Sequence, residues 1–161
     1  MELNQPIDLF DLDLDLVLRL LVAAGLGIML GIDREWRGHA AGMRTHALIC
    51  FAAAAMTVSI IALYLQLEGT RMDPLRLFEA SGAFIGIIGA GLIVFSKGKL
   101  HNITTAANLW LTAVIGIACG AGQWPLVLVA TIISLVVITA LRSFEDKVDD
   151  RRLEEKTKDD A

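Results

Sequence analysis

Apolar residues fall in five long blocks along the chain, and the polar residues gather between them. The blocks run from about Leu16 to Ile32, Ala47 to Leu67, Ala80 to Ser96, Ile103 to Ala121 and Trp124 to Leu141. Each is close to the roughly 20 residues that a bilayer-spanning helix needs. A soluble helix keeps a polar face, and the second and fifth blocks have none. The pattern predicts an all-α membrane protein with five transmembrane helices, not a soluble helical bundle. The connections are short, so consecutive helices should be antiparallel neighbours.

Three regions follow: an acidic N-terminal segment over 1–15, a five-helix membrane domain over 16–141 and a charged tail over 142–161. The first segment carries Glu2, Asp8, Asp11, Asp13 and Asp15 and no basic residue. A secretory signal begins with positive charge, so the first span is expected to remain in the mature protein. Pro74 marks a turn before the third helix, because proline disfavours helix at the preceding residue and suits a first helical turn.

Composition agrees with this pattern, with 55% hydrophobic residues. The net charge is −4, but its distribution is more informative. Arg34, Arg37 and Arg44 lie in the first connection, Arg71 and Arg76 in the second, and Lys97 and Lys99 in the third. The fourth connection has no Lys or Arg, while the tail holds Arg142, Lys147, Arg151, Arg152, Lys156 and Lys158. Lys and Arg near span ends favour the cytoplasmic side. The N-terminus is therefore expected outside, and the C-terminus in the cytoplasm. Cys50 and Cys119 are expected as free thiols near opposite ends of their spans.

The charged sequence "GIDREWRGHAAGMRTH", Gly31 to His46, follows a nearly pure apolar run. Charges at a membrane are costly unless paired, snorkelled or hydrated. Asp33, Arg34, Glu35, Arg37, Arg44 and His46 have two readings. They form an interfacial cap, with Trp36 at the headgroup level, or a fixed ion-pair network able to bind an ion or respond to pH. Asp33 and Arg37 are four apart and would share a helix face.

A second polar group follows helical spacing on the fourth span: His101, Thr105, Asn108 and Thr112, beside Thr104. It would act as hydrogen-bonding glue between helices or as a hydrated groove entered from the cytoplasm. The positive end of that helix, with Lys97, Lys99 and His101, would suit a phosphate or carboxylate. Glu79 lies near the outer start of the third span and would pair with Arg76 or serve as a proton or cation site. Arg19 would snorkel or pair with Asp15. Gly27 with Gly31, Gly82 with Gly86 and Gly116 with Gly120 form GxxxG pairs, which permit close backbone approach in lipid. The glycines around Gly86, Gly89 and Gly91 would pack the same way, or let a helix bend or line a narrow passage.

The chain lacks paired Cys/His zinc spacing, a phosphate-binding G-x-x-x-x-G-K-[ST] loop and a nucleophile elbow. An enzyme, a cofactor and a nucleic-acid partner are not expected, and a metal ligand set is not assigned.

"GIDREWRGHAAGMRTH", "GIIGAGLI" and "NITTAANLWLTAVIGIACGAG", in this order, resemble the MgtC/SapB family of bacterial inner-membrane proteins over about Leu14 to Leu141. Asp33 stands where the family usually has Glu, Ile87 stands where an aromatic is usual, and Asn102 replaces a Gly. The chain is similar to a short form without the family's C-terminal soluble domain. The resemblance implies a multi-pass protein of the bacterial inner membrane, a link to growth at low magnesium and survival inside host cells, and restraint of the F-type ATP synthase. The first expectation is a non-enzymatic regulator working through helix contacts with a membrane partner or with copies of itself. The alternative is a transporter or channel for Mg²⁺, protons or another small ion, with Glu79, Asp33, Glu35 and the Thr105–Asn108–Thr112 stripe as its path.

Overall fold

The structure, a computed structural model, describes residues 13–66, 73–96 and 99–138. Most of the acidic segment, Arg71, Lys97 and the charged tail lie outside the described residues. The described residues form helices α1 (Leu14–Trp36), α2 (Met43–Gln66), α3 (Pro74–Leu92), α4 (Ile103–Gly120) and α5 (Trp124–Ile138). At 1.5 Å per residue, α1 and α2 are about 35 Å long, enough for a hydrocarbon core of about 30 Å. α1, α2 and α4 are long and apolar enough to cross a membrane, whereas the apolar stretches of α3 and α5 are shorter.

The third block departs from expectation. Its helix stops at Leu92, and Val94–Ser96 (β1) pairs antiparallel with Lys99–His101 (β2). Ile93, Val94 and Phe95 are β-branched or aromatic, the types that suit a pleated strand. The span expected to run to Ser96 is therefore shortened, and the third connection is a small hairpin.

α2 packs between α1 and α4. Glycines on both neighbours explain how. A side chain on Gly27 would stand 2.5 Å from the His46 carbonyl oxygen, and one on Gly31 would stand 2.6 Å from the Met43 Cα. Side chains on Gly116 and Gly120 would collide with the carbonyls of Cys50 and Ala54. Two GxxxG faces thus meet the same stripe of α2 at successive heights, α1 antiparallel along its first half and α4 parallel further along. α5 adds Val127, with Ala130, Leu135 and Ile138 packed alongside, to a core built on Ala23, Leu30, Cys50, Ala54, Ile115, Ala118 and Cys119. Both cysteines are free, as expected, although the offset between α2 and α4 brings them into this same core.

The Gly82/Gly86 pair does not repeat the pattern. A side chain on Gly82 would meet Trp110 at 3.5 Å and one on Gly89 would meet Ala106 at 3.5 Å, both ordinary contact. Gly86 and Gly91 face open space. α3 touches α4 and α2 but exposes Phe84, Ile87 and Ile88.

Both α1 and α4 end in the same motif. Gly38 and Gly122 each have φ +68°, the left-handed conformation that glycine adopts without penalty. The N–H groups of Gly38 and His39 donate to the carbonyls of Glu35 and Arg34, and those of Gly122 and Gln123 donate to Cys119 and Ala118. At α4 a side chain joins in. Arg19 is buried, donates from Nη1 to the Gly120 carbonyl at 3.1 Å and pairs through Nη2 with Asp15 at 2.6 Å. A side chain on Gly122 would lie 3.0 Å from that guanidinium, while one on Gly38 would meet nothing. Gly38→Ala should then cost only the left-handed penalty of about 1–2 kcal/mol. Gly122→Ala should cost more, and thermal unfolding of the two variants in detergent measures the difference. Equal losses would mean that Arg19 does not depend on the bare glycine.

Candidate functional site

The end of α1 does not stop where hydrophobicity stops. Asp33, Arg34 and Glu35 are all within the helix, and the turn to α2 begins only at Arg37. The three charges therefore point to different sides at about 100° per residue, and each meets a different neighbour.

Arg34 points inward and is 6% exposed. Its Nη2 donates to the Thr105 hydroxyl on α4 at 2.6 Å, its one partner among the described residues, and its Nε is buried without a partner. Asp33 accepts from Arg37 Nε at 3.4 Å, the i,i+4 pair that the spacing predicts. Among the described residues Glu35 pairs with no arginine. Its Oε2 accepts from the Met43 N–H at 3.0 Å and so caps the first turn of α2, where a carboxylate also meets the positive end of the helix dipole. The side chain reaches there by crossing Gly42, and any Cβ at that position would strike the Glu35 carboxylate.

His46 is buried, and its Nδ1 donates to the Gly42 carbonyl at 2.9 Å, which places the ring proton on Nδ1 and leaves Nε2 without a partner. Arg44 is exposed on the first turn of α2 and Trp36 is exposed at the end of α1. The six charged-stretch residues thus divide: Asp33, Arg34 and Arg37 share a cleft, Glu35 and His46 fix the turn, and Arg44 stands apart.

That cleft, of about 450 Å³, lies between the end of α1, the start of α4 and the end of α5. Asp33, Arg34, Arg37 and His39 line one side, Asn102, Thr104, Thr105 and Asn108 another, and Val137 with Ile138 the third. The two polar groups separated by some 70 residues in sequence are therefore one site. His101 is not part of it in the way its spacing suggested. It belongs to β2, opposite Val94, and not to α4. Thr112 is buried deeper and donates to the Asn108 carbonyl on its own helix.

Asn102 begins α4 in the left-handed conformation, with φ 65°. Its side chain does not cap the helix but donates from Nδ2 to the Leu92 carbonyl at 3.1 Å, tying α4 to the end of α3. His39 is held below its ordinary value of 6.5, first by burial and then by the neighbouring Arg34 and Arg37, with Asp33 opposing. Sequence spacing did not single out His39, because a turn residue has no helical period. The glycine before it is the signal, since a helix ended by Gly38 turns the next residue back over the last turn.

Glu79 and Arg76 are both exposed on α3. The ion pairs found between described residues, Arg19–Asp15 and Arg37–Asp33, do not include them. Among the described residues no group of three or more His, Cys, Asp or Glu side chains is placed to hold a metal ion.

The MgtC family profile matches residues 20–147. Protein MgtC of Salmonella typhimurium (strain LT2) is 36% identical over 132 residues, covering 82% of this chain and 54% of that protein. YhiD of Escherichia coli (strain K12), whose name marks magnesium transport as a provisional assignment, is 33% identical over 129 residues, 77% of this chain and 59% of that one. An uncharacterized Haemophilus influenzae protein is 39% identical over 125 residues, 74% of this chain and 52% of its own. The chain spans about half the length of the curated relatives it matches. No solved structure matches it. With three helices of spanning length, the chain is a membrane protein and belongs to the MgtC family.

Proposed function

We propose that this chain is a non-enzymatic regulator in the bacterial inner membrane, acting in magnesium or energy homeostasis by helix contact with a membrane partner. One observation carries the reading: the polar cleft opens at one end of the helices and is floored by close packing. On α1, Leu30, Gly27 and Ala23 follow Arg34 inward, all buried, and on α4 Leu109, Ala113 and Gly116 follow Thr105. The next buried charge on α1, Arg19, is 15 residues from Arg34, about 22 Å along the helix, and it is engaged with Asp15 and Gly120. Of the residues of the transport alternative, Asp33, Thr105 and Asn108 share the cleft, but the others do not extend it: Glu79 is on the exposed face of α3, Glu35 caps the start of α2 and Thr112 donates to a backbone carbonyl.

The magnesium connection enters through relatives, among them proteins named MgtC and one named provisionally for magnesium transport. The cleft faces the cytoplasm in this reading, and Arg44 and Trp36, both exposed at the α1–α2 turn, offer contact to a partner such as the F-type ATP synthase or a second copy.

The test is reconstitution of the folded protein in liposomes, with Mg²⁺ and proton flux measured for wild type, Asp33→Asn and Glu79→Gln. Flux no greater than in empty liposomes is expected. Flux that either substitution removes would replace the regulator with a transporter. Photo-crosslinking from position 44 in cells then identifies what the charged turn touches.

A further inference from the structure

We infer that the cleft between α1, α4 and α5 is a binding site for a phosphate group, carried either by a phospholipid headgroup or by free inorganic phosphate. This goes beyond the regulatory reading and does not rest on it.

Three independent features converge on one anion. The first is the start of α4. An 18-residue helix presents about half a positive charge at its N-terminus and several N–H groups without intrahelical acceptors. Here no side chain caps them, because Asn102 has turned to Leu92, and the earliest helical bond is from the Ala106 N–H to the Asn102 carbonyl. The second is Arg34. Its guanidinium lines the cleft while 94% buried, with Thr105 as its one partner among the described residues and Nε unmatched. A buried guanidinium with unmet donors is expensive, and its best complement is an oxyanion able to accept a fork of two N–H bonds. The third is the mouth, where Arg37 and His39 add donors and Thr104 is exposed beside the helix start.

Geometry favours a tetrahedral anion over a planar one. The arginine fork and the α4 N–H groups approach from different elements, and a phosphate offers oxygens in both directions while a carboxylate offers two in one plane. Asp33 is the opposing charge in the lining, and its bond to Arg37 draws that carboxylate toward the rim. The volume of about 450 Å³ falls in the range of small-molecule sites, about 300–1,000 Å³. It leaves room for groups attached to the phosphate, and Val137 with Ile138 supplies an apolar wall for them.

The experiment uses the full chain purified in dodecyl maltoside. Native mass spectrometry reads phospholipid carried from the membrane, and calorimetry reads binding of inorganic phosphate after delipidation. Wild type is compared with Arg34→Lys, which keeps charge but loses the fork, and with Arg37→Gln at the rim, which keeps the buried contacts. Helical circular dichroism checks folding. Phosphate binding weakened at least tenfold by either substitution supports a free-phosphate site. Retained phospholipid lost in either variant, without binding of inorganic phosphate, assigns the site to a headgroup.

Sulfate, which does not titrate near neutral pH, gives a further readout. Its binding should tighten as pH falls through and below 6.5, because charging His39 among Arg34, Arg37 and Asp33 becomes easier with an anion present. His39→Gln should flatten that dependence. Wild type that neither retains phospholipid nor binds phosphate, or binding unchanged in both arginine variants, overturns the inference. Either result leaves the flux test untouched, so failure here is separable from failure of the regulatory reading.

Discussion

Gly116→Ala is expected to destabilise the folded protein by about 1–3 kcal/mol, while Gly86→Ala, in the same sequence pattern on α3, should be neutral or stabilise by up to about 1 kcal/mol. The added methyl is identical, so the surroundings decide the sign. At Gly116 it would enter the Cys50 carbonyl and the Ala53 methyl, and the first of these is helix backbone. A flexible side chain could step aside, but a backbone carbonyl moves only if α2 and α4 separate. Separation would then loosen the neighbouring contact of Gly120 with Ala54 and Thr57. Gly27→Ala should behave like Gly116→Ala, because its methyl would meet the His46 carbonyl and the Ala47 Cα. At Gly86 the methyl enters open space and only restricts the unfolded chain. Unfolding in mixed detergent micelles, titrated with sodium dodecyl sulfate, measures all three. Equal losses at Gly116 and Gly86 would mean that α3 is gripped by a surface outside this chain, or that the α2–α4 contact is looser than described.

The five helices were legible because the apolar blocks are long and the residues between them are polar or turn-forming. Helix limits moved where tertiary contacts outvoted hydropathy. α1 continues through Asp33, Arg34 and Glu35 because each charge finds its own partner, and no count of apolar residues reveals that. α3 stops early because Ile93, Val94 and Phe95, apolar enough for a span, also suit a strand. Spacing gave the Asp33–Arg37 pair, since both residues are on one helix. It could not give Arg34–Thr105 or Arg19–Gly120, which join residues 71 and 101 positions apart. Three GxxxG pairs look alike in the sequence, yet two grip α2 and one does not. The pattern records what a helix permits, and only the neighbouring backbone determines whether that freedom is used.

Thr105→Val should cost about 1–3 kcal/mol, although it changes side-chain volume little. The hydroxyl accepts the single hydrogen bond that Arg34 makes to the described residues. Removing it leaves a buried guanidinium with an additional orphaned donor, and unpaired charged groups carry the largest desolvation penalty. Thr112→Val on the same helix is the control. That hydroxyl donates to the Asn108 carbonyl of its own helix, a local bond whose loss leaves no buried charge, so the change should stay within about 1 kcal/mol. Arg34→Met removes the charge and its unmet donors together. In a Thr105→Val background it should restore much of the lost stability, because replacing both members of a buried polar pair is far less costly than removing one. The four proteins form a double-mutant cycle, read by the same micellar unfolding, with an expected coupling of about 1–3 kcal/mol. Absence of coupling would show that Arg34 draws its hydrogen bonds from whatever fills the cleft. The cycle should be run with and without phosphate and phospholipid. An anion seated at the guanidinium would supply the missing acceptor, so Thr105→Val should be least harmful under the conditions that fill the site. A charge that lowers stability when its site is empty and restores it when filled is the signature of a residue held in place for binding.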